Sequence, residues 1–194
     1  MICHRIEPKG RGAGRGVSAA SPPMAGQSPA KGRCIVTQSA TATRARVAGL
    51  LAYITAPTVG IDGHGDGEEK CVHWGASGFD LATSVGDHIA EMGDRATSCR
   101  RGADPIEHIV LSWRPGEIPT PEQIDEAAAI LLRETGYEVH QAVWALPADR
   151  GHMHMHVVMN RVTHDGRMKP SGWLLNNAHR AVAHIEEAQR WSRE

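Results

Sequence analysis

A chain of 194 residues with 41% hydrophobic but only 4% aromatic content can bury one ordinary core, resting mainly on Ala, Val, Leu and Ile. The net charge of −1 hides an asymmetry: residues 1–48 hold eight basic side chains against the single acid Glu7, so a segment of +7 precedes a remainder of −8, a pattern that points to polyanion contact. Cys3, Cys34, Cys71 and Cys99 stand apart with no CxxC pair, which argues against a disulfide frame or zinc finger and fits reduced cytosolic thiols; no apolar run resembles a membrane span or a signal peptide.

Residues 1–30 are rich in Gly, Pro, Ser and Ala and lack periodic apolar positions, so they read as a disordered basic arm. Folding is expected to begin in residues 31–38, where Cys34, Ile35 and Val36 make a short strand. A polar loop then caps a helix over residues 44–54, with Val47, Leu50, Leu51 and Ile54 on one face and Tyr53 in its last turn. Residues 56–78, punctuated by Gly60, Gly63, Gly65 and Gly67, read as a loop, either a mobile flap or an inert surface insertion. A helix is expected over residues 80–92, with Leu81, Val85, Ile89 and Met92 in phase.

The apolar run HIVLSW, residues 108–113, predicts a strand that ends in a turn at Pro115 and Gly116. A helix follows over residues 121–133: Thr120 caps it, Pro121 suits its first turn, Ile124, Ala128, Leu131 and Leu132 form its stripe, and Gly136 ends it. Strands follow at 140–146 and 153–162, then a turn at 164–166 and a helix over 177–190 with Ala181, Ile185 and Ala188 in phase. The last two strands are joined by so few residues that they must pair antiparallel. The order of elements therefore predicts an α+β fold with a mainly antiparallel sheet flanked by helices. The last helix runs to within a few residues of Glu194, which is compatible with a longer natural protein.

Residues 149–162, DRGHMHMHVVMNRV, carry the strongest chemical signal. His152, His154 and His156 alternate with Met153 and Met155, the two-residue period of a strand, so the imidazoles share one face. Neighbouring histidines at i and i+2 are about 6–7 Å apart at Cα and can converge on one ion, at ~2.0–2.1 Å if it is zinc. A metal or phosphate site is one reading and a half-exposed His-rich strand is the other; the interleaved Met and Val favour a folded site. Of the two tyrosines, Tyr53 lies at a helix end beside a Gly-rich loop, and Tyr137 lies between a helix and a strand. A phenol of pKa ~10 attacks only with help from a base or cation.

The segment HQAVWALPADRGHMHMHVVMNRV, with HIVLSW upstream and AHRAVAHIEEAQRW downstream, resembles conjugative relaxases of the MobP type. These belong to the His-hydrophobic-His single-strand endonucleases, which include the nuclease that nicks T-DNA borders. The resemblance covers about residues 31–194, as one nicking domain behind the arm, and implies the fold of that family. It implies Tyr53 as the nucleophile on the scissile phosphate, Ser112 as a DNA contact near the nick, His154 and His156 as metal ligands, and Asn160 as the residue closing the histidine motif. The family has a third histidine where this chain has Pro147, which cannot bind a metal. His152 on the same strand face, or Asp149 as a ligand or supporting acceptor, is expected to take that place. Arg44 and Arg46, about two turns before Tyr53, are expected to help hold the DNA backbone.

The implied activity is metal-assisted nicking of one strand at a plasmid or mobile-element transfer origin through a 5′-phosphotyrosine intermediate. It would use Mg²⁺ or Mn²⁺ in the cytoplasm. The implied partners are single-stranded origin DNA, relaxosome accessory proteins and a type IV secretion coupling protein. The competing readings are a catalytically degenerate single-stranded-DNA-binding relative and a small-molecule metalloenzyme.

Overall fold

The computed structural model describes residues 1–6, 40–55, 71–99, 104–147 and 153–191. Nine elements follow in order: β1 (Ile2–Arg5), α1 (Ala40–Thr55), β2 (Cys71–Ser77), α2 (Val85–Ser98), β3 (Ile106–Ser112), α3 (Pro121–Thr135), β4 (Ala142–Pro147), β5 (His154–Asn160) and α4 (Leu174–Ala188). The strands form one sheet in the order β1-β3-β5-β4-β2, and every neighbouring pair is antiparallel. This is the α+β architecture expected from the sequence, including the antiparallel pairing of β4 with β5.

Each face of the sheet has its own core, because strand side chains alternate between faces. Ile109, Leu111, Met155, Val157 and Met159 pack with Ile124, Leu131, Ala181 and Ile185 of α3 and α4. On the other face Ile106, Val143, Ala145 and Val158 pack with Val47, Leu51 and Ile54 of α1 and with Met92 and Ala96 of α2. The methionines of the histidine strand thus serve the first core and leave its histidines on the α1–α2 face.

Local chemistry sets the helix ends. Thr120 and Ser84 each make a capping box, with Gln123 and Asp87 as the reciprocal partners. Gly136 ends α3 at φ 71°, a left-handed conformation that glycine adopts without a Cβ clash. The cap at Ser84 also corrects an expectation. The second helix begins at Val85, not residue 80, and runs to Ser98; Leu81, expected in phase with its apolar face, is 88% exposed ahead of it. The last helix likewise starts at Leu174, three residues before the expected position.

Two strands lie where loops or disorder were expected. Ile2–Arg5 pairs along β3 from Ser112 to Ile109, so the expectation of an unstructured arm is corrected at its first residues. Cys3 is buried in the α3–α4 core, and the Met1 ammonium is 2.7 Å from Glu186 Oε1 on α4. The remainder of the expected arm and the strand expected at residues 31–38 fall outside the described residues. Residues 71–77, expected to be the end of a loop, form the edge strand β2. Its Gly75 misleads a reading for strands, yet it fits the packing: a Cβ there would lie 2.6 Å from the Trp144 ring. Among the described residues no helix is long and apolar enough to cross a membrane.

Candidate active site

His154 and His156 project from β5 on the α1–α2 face, with ring centres 5.1 Å apart. The strand period predicted from the sequence produces this pairing, and Met155 between them is fully buried on the opposite face. Neighbouring strands frame the pair. Ser112, the last residue of β3, sits across from His154, while Val110 and Ala145 flank His156. Cross-strand partners share a face, so Ser112 and the two histidines line one surface.

Tyr53 reaches the same place from α1. Val47, Leu51 and Ile54 anchor that helix against the sheet with at most 1% exposure, and Tyr53, one residue before Ile54, falls on its flank. Its ring lies edge-on to His156, 6.0 Å between centres, and is 54% exposed. Tyr137 is different: it is fully buried in the α3–α4 core, with Lys169 Nζ 5.3 Å from its ring centre. Of the two tyrosines, only Tyr53 combines access to solvent with proximity to the histidines.

One site residue escaped the sequence reading. His108, the first residue of HIVLSW, is four positions before Ser112 and therefore on the same strand face. It is buried, and its Nε2 lies 2.9 Å from Nδ1 of His156. Burial, with the nearby Arg46 guanidinium adding to it, lowers its pKa to about 4, so His108 is neutral at physiological pH. The strand period from Ser112 was the signal available for it, but the contact itself joins positions 48 residues apart.

The remaining expected residues divide. Arg44 pairs with Asp94 of α2 at 3.0 Å, and the Arg44 side chain stays 52% exposed. Arg46 pairs with Asp104, just ahead of β3, and is mostly buried there. Asn160 ends β5 six residues beyond His154, about 20 Å along the strand. It is fully buried and bonded on all sides: its Nδ2 donates to Gln141 Oε1 at 3.0 Å and to the Met92 carbonyl at 3.4 Å, and its Oδ1 accepts from the Val162 N–H at 3.0 Å. Its place is a clamp between β5, β4 and α2, away from the histidine pair. Pro147 ends β4, buried and paired with Cys71. His152 and Asp149 fall outside the described residues.

The donor set fits a divalent cation in part. Two imidazoles sharing one ion at ~2.1 Å bring their ring centres to about 5 Å, close to the separation of His154 and His156. With Nδ1 of His156 engaged by His108, Nε2 is the nitrogen suited to ligation. Among the described residues no group of three His, Cys, Asp or Glu side chains converges on one point.

Comparison with known proteins gives the family of the chain. The family model described as "Relaxase: MobA/VirD2-like, nuclease domain" matches residues 53–191, from Tyr53 through the last helix. Protein MobA of Acidithiobacillus ferrooxidans is 46% identical over 98 residues, which is 48% of this chain and 24% of that protein. Protein TraI of Escherichia coli is 28% identical over 82 residues, 42% of this chain and 11% of that protein. The chain therefore spans about a quarter or less of the length of these relatives. Relaxase nuclease domains are generally metal-dependent. By the extent of the family match, this chain belongs to the MobA/VirD2-like relaxase nuclease domains.

Proposed function

We propose that this domain nicks one DNA strand at the transfer origin of a plasmid or other mobile element, with Tyr53 as the nucleophile. The observation that carries the reading is the Tyr53 ring, half exposed and 6.0 Å from the ring of His156. The Tyr53 hydroxyl oxygen attacks the scissile phosphorus, a new O–P bond forms, and the P–O3′ bond breaks. The phenolic proton is given up and the departing 3′-oxygen gains one, so the products are a 5′-phosphotyrosine and a free 3′-hydroxyl. No water is consumed, so the 3′-hydroxyl can reverse the step and reseal the strand.

His154 and His156 would hold the divalent ion, Mg²⁺ or Mn²⁺, with His152 or Asp149 as the further ligand. Such an ion would supply charge neutralisation at the scissile phosphate as Tyr53 attacks. Ser112, across from His154, would contact the strand next to the nick. Arg44 keeps enough exposure to reach a phosphate; Arg46, held by Asp104, steadies α1 so that Tyr53 keeps its position. Asn160 supports the site by fixing the far end of β5. The basic residues of the first 48 positions supply longer-range attraction to DNA. Relaxosome accessory proteins and a type IV secretion coupling protein are the expected partners, in the cytoplasm.

The presence of Pro147 where the family has a histidine favours a second reading, a relative that binds single-stranded DNA without cutting it. Incubation with supercoiled plasmids carrying candidate transfer origins separates the two. Conversion to open circles with Mg²⁺ or Mn²⁺, lost on chelation and in Tyr53→Phe, is expected. Retention of DNA binding with no nicking under any metal supports the second reading.

A further inference from the structure

We propose that His108 is a positioning residue that fixes the ring tautomer of His156, holding the Nδ1 proton in place so that Nε2 presents its lone pair to the site. This inference rests on the reading of His156 as a metal ligand. The geometry is a buried contact between two imidazoles, 2.9 Å from Nε2 of His108 to Nδ1 of His156, with ring planes tilted by 34°. Such a contact holds one proton, and its owner decides what His156 can do.

If His108 donates, Nδ1 of His156 accepts. A neutral His156 then carries its proton on Nε2, the nitrogen that would have to ligate, and coordination is blocked. If His156 donates, its proton is on Nδ1 and Nε2 has a lone pair. His108 then accepts through Nε2 and carries its own proton on Nδ1. Metal-ligating histidines almost always donate their other ring N–H to a fixed acceptor, most often a carboxylate, a backbone carbonyl or water. In this fold a histidine from the adjacent strand fills that role.

The register makes the contact part of the sheet rather than of a loop. His108 pairs with Val158 and Val110 with His156, so His108 and His156 stand diagonally on adjacent strands with fixed spacing.

The test reads the tautomer directly. Long-range ¹H–¹⁵N spectra of the metal-free, ¹⁵N-histidine-labelled protein at neutral pH report which ring nitrogen of His156 carries the proton. We expect a single tautomer with the proton on Nδ1. A proton on Nε2 in the folded wild-type protein overturns the proposal without any variant.

His108→Leu removes the acceptor and keeps comparable bulk; it should give a mixed tautomer population and weaken Mn²⁺ binding about 10- to 100-fold by calorimetry, the usual loss for such a partner. His108→Gln, whose Oε1 can reach the position of Nε2, should hold the tautomer and bind Mn²⁺ within a few-fold of wild type. An unchanged tautomer and affinity in a folded His108→Leu protein would sink the idea. His156→Ala is the separate control: undiminished Mn²⁺ binding overturns the ligand reading, while the tautomer spectra still judge the His108 contact.

Discussion

Replacing Asn160 with Ala should cost stability and leave the chemistry of the folded site nearly untouched. The side chain is fully buried and makes three hydrogen bonds, two of about 3.0 Å and a weaker one of 3.4 Å to the Met92 carbonyl. Truncation leaves the buried Val162 N–H and Gln141 Oε1 without these partners. Each buried orphan costs about 1–3 kcal/mol, so two cost at least about 2 kcal/mol, and about 3 kcal/mol is the working figure. For a domain of this size each kcal/mol moves Tm by about 2–4 °C, giving a drop of about 6–12 °C. Differential scanning calorimetry measures it. The Mn²⁺ affinity of the folded variant, well below its Tm, should stay within about threefold of wild type because the two ends of β5 lie about 20 Å apart. A variant with unchanged Tm and lost metal binding would refute this assignment.

Two further predictions follow from burial. Burial pushes the Cys3 thiol up from 9.0 to about 11, which lowers its thiolate fraction at pH 8 by roughly 100-fold; alkylation followed by peptide mapping should label Cys3 far more slowly in the native than in the urea-unfolded protein, and equal rates would place β1 off the sheet. His108, held near a pKa of about 4 by burial and then by Arg46, and His140, lowered by burial and then by Lys169 against the opposing bond to the Asn160 carbonyl, both protonate more readily in the unfolded chain near 6.5. The unfolded state therefore binds more protons below pH 6.5, and stability should decline as pH falls from there toward about 4. Urea titrations of His108→Gln and His140→Asn should show flatter pH dependence in that window, and an undiminished slope in both would contradict the burial argument.

Most of the fold was legible because its signals are local. The stripe of Ile124, Ala128 and Leu131 between Thr120 and Gly136 gives α3 almost to the residue. Alternation alone set Met155 on one face of the sheet and His154 and His156 on the other. Features decided by distant partners were not legible. β1 has only four residues, too short for a period to show, and is held by β3 and by Glu186 far along the chain. β2 hides behind a glycine whose reason is the Trp144 ring on another strand. The α2 start depended on the reciprocal bonds between Ser84 and Asp87, while the apolar phase of Leu81 suggested an earlier one. In the site, Tyr53 and the two histidines could be named from sequence, whereas the His108–His156 contact and the ion pairs of Arg44 and Arg46 exist only once the strands and helices are assembled.

The most direct measurement of the central claim is the identity of the residue that becomes joined to DNA. Reaction with an oligonucleotide spanning a cleaved origin, in the presence of Mn²⁺, should produce a species of lower mobility on a denaturing gel. Digestion and mass spectrometry should place the nucleotide adduct on the peptide containing Tyr53. Tyr53→Phe, which keeps the ring and removes a hydroxyl from a half-exposed position, should fold normally and form none, while Tyr137→Phe should still form the adduct. An adduct on any residue other than Tyr53, or nicking by Tyr53→Phe at the wild-type rate, would contradict the account.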